Sequence, residues 1–212
     1  MARIFGLLIL LAGGWISNVL AAEPRTILIF GDSLSAGYGI RPEQAWPSLL
    51  QQRIGPGWQV VNASQSGETT AGGLTRLPAA LDRHKPQIVV VELGANDGLR
   101  GLPIGATRRN LAAMIEQARA NRAEVVLVGM QMPPNFGRAF TAKFSAMYRE
   151  LAQEHKLPPP PFLLDGIADQ PQWFQADQLH PIAQAQGRLL DNLWPTLSPL
   201  LTRSQTTSKK KK

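Results

Sequence analysis

The sequence predicts an α/β protein in which a mostly parallel sheet of about five strands lies between two layers of helices. Short β-branched apolar runs alternate along the chain with longer stretches of helical periodicity, as they do in βαβ units. The apolar runs lack strict apolar–polar alternation, which indicates strands that are buried on both faces. The chain has 212 residues, which suits one domain with a sizeable core.

The first half of the predicted fold consists of four segments. A β-branched apolar run predicts a strand at residues 26–30, and amphipathic spacing predicts a helix at 46–54. A second strand is predicted at 59–62. A second helix is predicted at 71–83, with an interruption at Pro78, because proline lacks the N–H that a helix interior needs.

The second half continues the alternation with buried strands at 88–93 and 125–130. Each strand precedes a helix in which apolar residues recur at i, i+3, i+4 and i+7. These residues are Leu111, Met114, Ile115 and Ala118 in one helix and Phe144, Met147, Tyr148 and Leu151 in the other.

The last predicted elements are a weak fifth strand and a final helix. The strand, at residues 162–164, follows four consecutive prolines. The helix is predicted at 182–194, and we expect Pro195 and Pro199 to end it. No internal repeat or interdomain linker interrupts this pattern.

The N-terminus has the layout of a secretory signal peptide. Arg3 precedes a charge-free apolar segment, and small residues lead up to Ala21 and Ala22, where cleavage is predicted. An uncleaved membrane anchor is the alternative, but two adjacent glycines and a Ser-Asn pair make a poor membrane helix. We therefore predict a signal peptide at 1–22, a domain at 23–201, a disordered lysine-rich tail at 202–212, and a periplasmic or secreted location.

Charge and cysteine content exclude several function classes. The net charge is +7, but Arg3 and the terminal run of residues 209–212 carry five positive charges, so about +2 remains for the rest. We therefore expect no nucleic-acid partner. The absence of cysteine excludes disulfides, thiolate metal sites and a cysteine nucleophile. Only three histidines are present, and they are scattered, so we expect no metal and no other cofactor.

Polar loops of small residues follow three of the predicted strands. They begin at Gly31-Asp32-Ser33, at Asn62 and at Gly94-Ala95-Asn96-Asp97. Ligands of open α/β sheets bind beyond the carboxyl ends of the strands, where these loops converge. Each loop taken alone is also compatible with an ordinary turn.

A serine nucleophile in these loops needs a base, and His180 is the best candidate. His84 and His155 lie at predicted helix ends, where a cationic residue is usually a favourable surface charge. His180 instead lies just before a helix and three residues after Asp177, so one loop can supply both a base and its orienting carboxylate. A solvated histidine in a loop remains the alternative.

Four sequence blocks resemble those of the SGNH (GDSL) hydrolase family. They are Gly31-Asp32-Ser33-Leu34, Gly67, Gly94-Ala95-Asn96-Asp97 and Asp177-Gln178-Leu179-His180, in the order of the family. The resemblance covers residues 25–195 and is greatest to the bacterial periplasmic esterases that have several activities. Ala95 departs from the glycine that relatives often carry there, at a position without a catalytic role.

The resemblance implies a three-layer fold with a flavodoxin-like sheet, and a role for each block. Ser33 is implied as the nucleophile, His180 as its base and Asp177 as the residue that orients the base. The N–H groups of Ser33 and Gly67 and the amide of Asn96 are implied as the oxyanion hole. No cofactor is implied.

The expected substrates are acyl esters and thioesters, and lysophospholipids are a further possibility. An acyl chain needs an apolar groove, and Leu99, Leu102 and Pro134 are suitably placed in the sequence to line it. Gly98 belongs to the same loop, for which we expect mobility over a bound chain. We expect a monomer without a membrane span after signal cleavage.

Two alternatives remain open: a carbohydrate acetylesterase with the same chemistry, and a non-catalytic flavodoxin-like binding domain. Nucleotide binding is disfavoured, since Gly37-Tyr38-Gly39 is followed by Pro42 and the chain has no P-loop. The Gly-x-Ser-x-Gly elbow of ordinary α/β-hydrolases is also absent from the sequence.

Overall fold

The computed structural model describes the backbone of residues 24–209 and the side chains of residues 24–203. The predicted signal peptide, residues 1–22, and the final lysines, residues 210–212, lie outside the described residues. Within the described part of the chain, no helix is long and apolar enough to cross a membrane.

The centre of the fold is a parallel sheet with the strand order β2-β1-β3-β4. The strands are β1 (Arg25–Gly31), β2 (Trp58–Asn62), β3 (Ile88–Glu92) and β4 (Glu124–Leu127). The chain leaves β1 toward β2 on one side and returns to β3 on the other, so the strand order reverses beside β1. This flavodoxin-like topology confirms the predicted fold class and creates a ligand-binding crevice beyond β1 and β3.

The sheet has four strands within the described residues, so the prediction of a fifth strand at 162–164 was wrong. Phe162 makes only an isolated parallel bridge to Gly129. The prolines at 158–161 lack N–H groups and cannot donate to a ladder. β4 also ends at Leu127 instead of Met130: beyond it the chain makes one more hydrogen bond to β3, from the Val128 N–H to the Val91 carbonyl at 2.9 Å, and Gly129 then pairs with Phe162.

Seven α-helices of the described chain flank the sheet. They are α1 (Ser33–Ala36), α2 (Trp46–Ile54), α3 (Thr70–His84), α4 (Ala95–Leu99), α5 (Ile104–Ala120), α6 (Arg138–Glu154) and α7 (Gln186–Lys209). α2 packs against α7, while α3, α5 and α6 pack together as a second group. The predicted bounds of α2 are confirmed.

We predicted an interruption of α3 at Pro78, and the structure shows none. The helix runs through Pro78, and its inner face buries Gly73, Leu77 and Leu81. Pro78 removes one helical hydrogen bond, and packing of this apolar face against the sheet and α5 offsets the loss.

The last helix also continues where prolines were expected to end it. After a 3₁₀ turn at Ala183–Ala185, α7 passes through Pro195 and Pro199 to Lys209. Its leucines keep one buried stripe across both prolines: Leu189, Leu190, Leu193, Leu197, Leu200 and Leu201. The helical backbone of α7 continues through residues 202–209.

Candidate active site

The nucleophile candidate lies where β1 passes into α1. Ser33 is the first residue of α1, and Asp32 caps the helix by accepting a hydrogen bond from the Leu34 N–H at 3.0 Å. An N–H at the first residue of a helix has no acceptor within the helix, so the Ser33 N–H is available to a ligand. The short turn thus presents both the hydroxyl and the N–H of Ser33 at the edge of the sheet.

The structure brings Ser33 together with His180 and Asp177. His180 Nε2 lies 2.9 Å from Ser33 Oγ, and His180 Nδ1 lies 2.7 Å from Asp177 Oδ2. Ser33 and His180 are half-buried, and the Asp177 side chain is 37% exposed. This is the order of groups that activates a serine hydroxyl: nucleophile, base and orienting carboxylate.

The Asp177–His180 loop is organised by the carboxylate itself. Asp177 Oδ1 accepts the Leu179 and His180 N–H groups at 2.9 and 3.0 Å, and Gln178 takes a left-handed φ of 57° in the turn. Burial raises the pKa of Asp177, but the hydrogen bonds from His180 and Leu179 outweigh it and lower the pKa to about 2. Asp177 is therefore ionised at neutral pH, as a partner of the imidazole must be.

Gly67 and Asn96 come from the other two loops. Gly67 has a φ of +78°, which favours glycine, and its carbonyl accepts a hydrogen bond from Arg100 at 2.8 Å. Asn96 lies in the first turn of α4, and its Nδ2 donates to Asp32 Oδ2 at 3.1 Å. The four sequence blocks thus meet at one edge of the sheet.

Known proteins are similar to this chain in sequence and in fold. The model of the GDSL-like lipase/acylhydrolase family matches residues 29–188. The chain belongs to this family. It is accordingly a serine hydrolase that acts on ester bonds.

Individual relatives of this GDSL hydrolase are similar over nearly their whole length. Esterase TesA of Pseudomonas aeruginosa is 48% identical over 198 residues, which cover 91% of this chain and 98% of that protein. Thioesterase 1/protease 1/lysophospholipase L1 of Escherichia coli is 44% identical over 181 residues, covering 85% of this chain and 87% of the relative.

Solved structures agree with the fold. A crystal structure of TesA has a TM-score of 0.79 and 47% identity, covering 83% of this chain and 99% of that one. The esterase EstA from Pseudoalteromonas, inhibited by monoethylphosphonate, has a TM-score of 0.79 and 36% identity, covering 84% and 99% of the two chains.

Two buried carboxyls lie beneath Ser33 of this GDSL hydrolase. Burial raises the pKa of Asp32 to about 6, although Leu34, His180 and Asn96 lower it. Burial and the neighbouring Asp32 also raise the pKa of Glu92 well above its ordinary value. Glu92 Oε2 accepts the Ser35 hydroxyl at 2.6 Å and the Asp32 N–H at 3.2 Å, so Glu92 links the end of β3 to the turn that carries Ser33.

Sequence reasoning missed Glu92. The signal was present, because one acidic residue ends the otherwise apolar run of β3, all of which is buried. A charged residue in such a run is rarely buried without a specific partner.

A cleft of about 500 Å³ opens beside Ser33 and His180. Of the predicted binding residues, Leu99 and Pro134 line this cleft. Gly98 and Leu102 are not among its lining residues. The remaining walls are mainly apolar and come largely from segments far apart in sequence: Met130, Met132, Phe162, Leu164 and Phe174.

Gly98 has a packing role in the structure. A Cβ at this position would overlap the Met132 side chain, and Gly98 itself is buried within α4. Gly101 does have a left-handed φ of 65° and open space around it. Gly98 therefore allows close contact with the end of the Met132 side chain beneath the cleft.

The other two histidines lie away from this site. His84 is in the last turn of α3, and His155 is the C-terminal cap of α6. Between residues 24 and 203, no group of three or more acidic or histidine side chains is arranged to hold a metal ion.

Proposed function

We propose that this protein is an exported hydrolase of acyl esters and thioesters that forms an acyl-enzyme on Ser33. The observation that carries the proposal is the continuous contact from Ser33 Oγ through His180 to Asp177, beside an apolar cleft. No cofactor is needed for this chemistry, because the side chains supply the nucleophile, the base and the electrostatic stabilisation.

Acylation begins with His180 Nε2 as the general base. Nε2 removes the proton from Ser33 Oγ while Oγ bonds to the acyl carbon, giving a tetrahedral intermediate and an imidazolium. The intermediate collapses as the bond to the alcohol or thiol breaks, and the imidazolium returns its proton to that leaving group. The 2.9 Å contact between the two side chains is within the range for direct proton transfer.

Deacylation repeats these steps with water. His180 removes a proton from water, whose oxygen attacks the ester carbon on Ser33, and the imidazolium then protonates Ser33 Oγ as the acid leaves. Throughout, the ionised Asp177 holds Nδ1–H and keeps Nε2 facing the nucleophile. Its own proton affinity is too low for it to take the Nδ1 proton, since its pKa is about 2.

The oxyanion hole consists of the N–H groups of Ser33 and Gly67 and the side-chain amide of Asn96. One hydrogen of Asn96 Nδ2 points to Asp32, so the other is available for an oxyanion. All three donors are neutral, and two are fixed by the backbone, so little reorganisation is needed as charge develops.

The substrate class follows from the cleft and from the relatives. A volume of about 500 Å³ lined by leucine, methionine and phenylalanine suits an acyl chain longer than acetyl. Relatives bear the names esterase, arylesterase and thioesterase 1/protease 1/lysophospholipase L1. We include lysophospholipids among the substrates on this basis, and we propose that the protein acts as a monomer in the periplasm.

The test is hydrolysis of p-nitrophenyl esters of graded chain length by the wild type and by Ser33→Ala. We expect the rate to rise from acetyl to medium-chain esters, and Ser33→Ala to lose it. Undiminished hydrolysis by Ser33→Ala would rule out the nucleophile. A strict preference for acetyl would favour a carbohydrate acetylesterase, and an inactive wild type that resists fluorophosphonate would favour a binding domain.

A further inference from the structure

The nucleophile and its base come from distant parts of the chain. Ser33 begins α1, whereas His180 lies 147 residues later in the irregular segment between Trp173 and Ala183. No helix or strand of the described chain holds His180. Something else must therefore fix the distance between His180 Nε2 and Ser33 Oγ.

Gln175 forms one link between the two segments. Its backbone N–H donates to the His180 carbonyl at 2.8 Å, so Gln175 is tied to the histidine loop. Its side-chain Nε2 donates across to the Tyr38 carbonyl at 2.7 Å and, at 3.3 Å, to the Pro181 carbonyl. The half-buried Gln175 amide thus joins the histidine loop to the segment that follows α1.

Tyr38 forms the second link. Its N–H donates to the Ser33 carbonyl at 3.2 Å, which fixes it relative to the nucleophile. Its ring lies against the His180 imidazole, with the centroids 4.4 Å apart and the planes at 39°. Tyr38 is 52% exposed, so its ring covers His180 without being part of the core.

The intervening glycine shows how closely the segments approach. A Cβ at Gly39 would overlap the amide of Gln175, and Gly39 has a left-handed φ of +74°. Only glycine lets the backbone after Tyr38 pass this near to the Gln175 side chain without strain.

We propose that Tyr38 and Gln175 form a brace that sets the distance between Ser33 and His180. The Asp177 hydrogen bond orients the imidazole in its own plane, and the Tyr38 ring limits tilting out of that plane. Gln175 holds the histidine loop at a fixed distance from the segment that follows α1. Both are positioning residues, which act through His180, and the inference rests on the proposed role of Ser33 and His180.

The experiment compares steady-state hydrolysis of a p-nitrophenyl ester by Tyr38→Ala, Tyr38→Phe and Gln175→Met. Methionine keeps the size of glutamine but removes its donor. Displacing a base by about 1 Å can lower the rate about 100-fold, so we expect kcat to fall about 10- to 100-fold in Tyr38→Ala and Gln175→Met, with KM within about twofold. Tyr38→Phe should keep kcat, because it retains the ring.

The matched control is Gln172→Ala, an exposed glutamine in the same segment whose amide bonds only to Gln170 among the described residues. It should keep wild-type kcat. A far-downfield proton resonance from the Nδ1–H of His180, bonded to Asp177, should persist in Tyr38→Ala and Gln175→Met. Its loss would mean that the histidine loop has unfolded, which would overturn a positioning role.

Other outcomes separate the brace from the proposed function. The brace would be overturned if Tyr38→Ala and Gln175→Met both kept the wild-type kcat while Ser33→Ala was inactive. The proposed role of Ser33 as the nucleophile would then be retained. An equal loss in Tyr38→Phe and Tyr38→Ala would overturn the role of the ring. Full activity in Ser33→Ala would overturn both proposals.

Discussion

The side-chain amide of Asn96 is oriented by a buried carboxylate. Asp32 Oδ2 accepts one Nδ2 hydrogen at 3.1 Å, so the nitrogen cannot exchange places with the amide oxygen without losing this bond. Asp32 is only 1% exposed and is fixed by the Leu34 N–H and by Glu92, whose Oε2 accepts the Asp32 N–H. Asp32, the residue before Ser33, therefore supports both the helix cap and the proposed oxyanion hole.

Replacing Asn96 should remove one oxyanion donor while leaving the nucleophile in place. We expect Asn96→Ala to lower kcat about 100- to 1000-fold, the range found when one such donor is removed, with a small change in KM. Steady-state kinetics on a p-nitrophenyl ester measure both. A rise in KM at unchanged kcat would instead assign Asn96 to ground-state binding.

Asp32→Asn should separate activity from stability. Folding raises the pKa of Asp32 from 3.8 to about 6, so protonation of Asp32 stabilises the folded state. This stabilisation is lost as the pH rises through 6. Asparagine does not ionise, so the variant should be more stable than the wild type at pH 8, by up to about 3 kcal/mol at about 1.4 kcal/mol per pKa unit. This advantage should shrink toward zero below about pH 4.

Urea unfolding at pH 4 and pH 8 measures this difference, with the exposed Asp82→Asn as a control for the loss of one negative charge. The activity of Asp32→Asn should fall, because the NH₂ of the new asparagine cannot accept a hydrogen bond from Asn96 Nδ2. It favours instead an Asn96 side chain that is rotated so that its amide oxygen faces residue 32. A variant less stable than the wild type at pH 8 would show that the carboxylate's hydrogen bonds outweigh its desolvation.

At the scale of elements, the predictions failed where packing overrides local propensity. β1, β3 and β4 were predictable because their apolar runs are buried, and α2 because it carries helical periodicity. β2 was predictable from its β-branched residues, although this edge strand buries only Trp58. Pro78 and Pro199 disfavour a helix locally, but α3 and α7 each bury a continuous apolar face. That gain depends on tertiary contacts, which periodicity in the sequence does not reveal.

The site was predictable to a similar extent. The polar loops after β1, β2 and β3 and the spacing of Asp177 and His180 are local patterns, so their convergence followed from the parallel sheet. The contacts of Tyr38 with His180 and of Gln175 with Tyr38 join segments more than 130 residues apart. Nothing in their local sequence specifies such contacts, and the same holds for Phe162 and Phe174 in the cleft.

Gly94 connects β3 to the turn that presents Asn96, and it should not tolerate a side chain. Its φ is +117°, and a Cβ would overlap Tyr148 Oη, which donates to the Leu93 carbonyl at 2.9 Å. We expect Gly94→Ala to lower the free energy of unfolding by at least about 1 kcal/mol, since alanine is strained at such a φ, and to lower kcat.

Gly57→Ala is the matched control, because a Cβ there meets nothing within 4 Å and its φ is not in the left-handed region. Chemical unfolding and ester hydrolysis of both variants test the prediction. Equal stability of the two variants would mean that α4 adapts to the added methyl group.

At the scale of the whole molecule, the net excess of positive charge lies largely at the ends of the chain, and the chain has no cysteine. Of the net charge of +7, five positive charges belong to Arg3 and residues 209–212. Stability of the domain rests on its core, which includes fully buried β1 residues such as Ile27 and Phe30, and on no disulfide. Such a chain can fold identically in reducing and oxidising compartments.

β1 begins at Arg25, so a chain that starts at Glu23 retains every described element. We expect it to fold in the cytoplasm with wild-type kcat, while the full chain reaches the periplasm with its new N-terminus at Ala22 or Glu23. Cell fractionation and mass spectrometry of the purified protein test this. A full-length product that still carries residues 1–22 in the membrane fraction would support an uncleaved anchor.

The most direct test of the central claim is to locate a covalent adduct. Purified protein is treated with a fluorophosphonate, digested, and sequenced by tandem mass spectrometry. We predict one phosphonyl group on Ser33, formed far more slowly by His180→Ala than by the wild type. An adduct on a different residue, or labelling of Ser33 at the same rate without His180, would contradict the proposed acyl-enzyme mechanism.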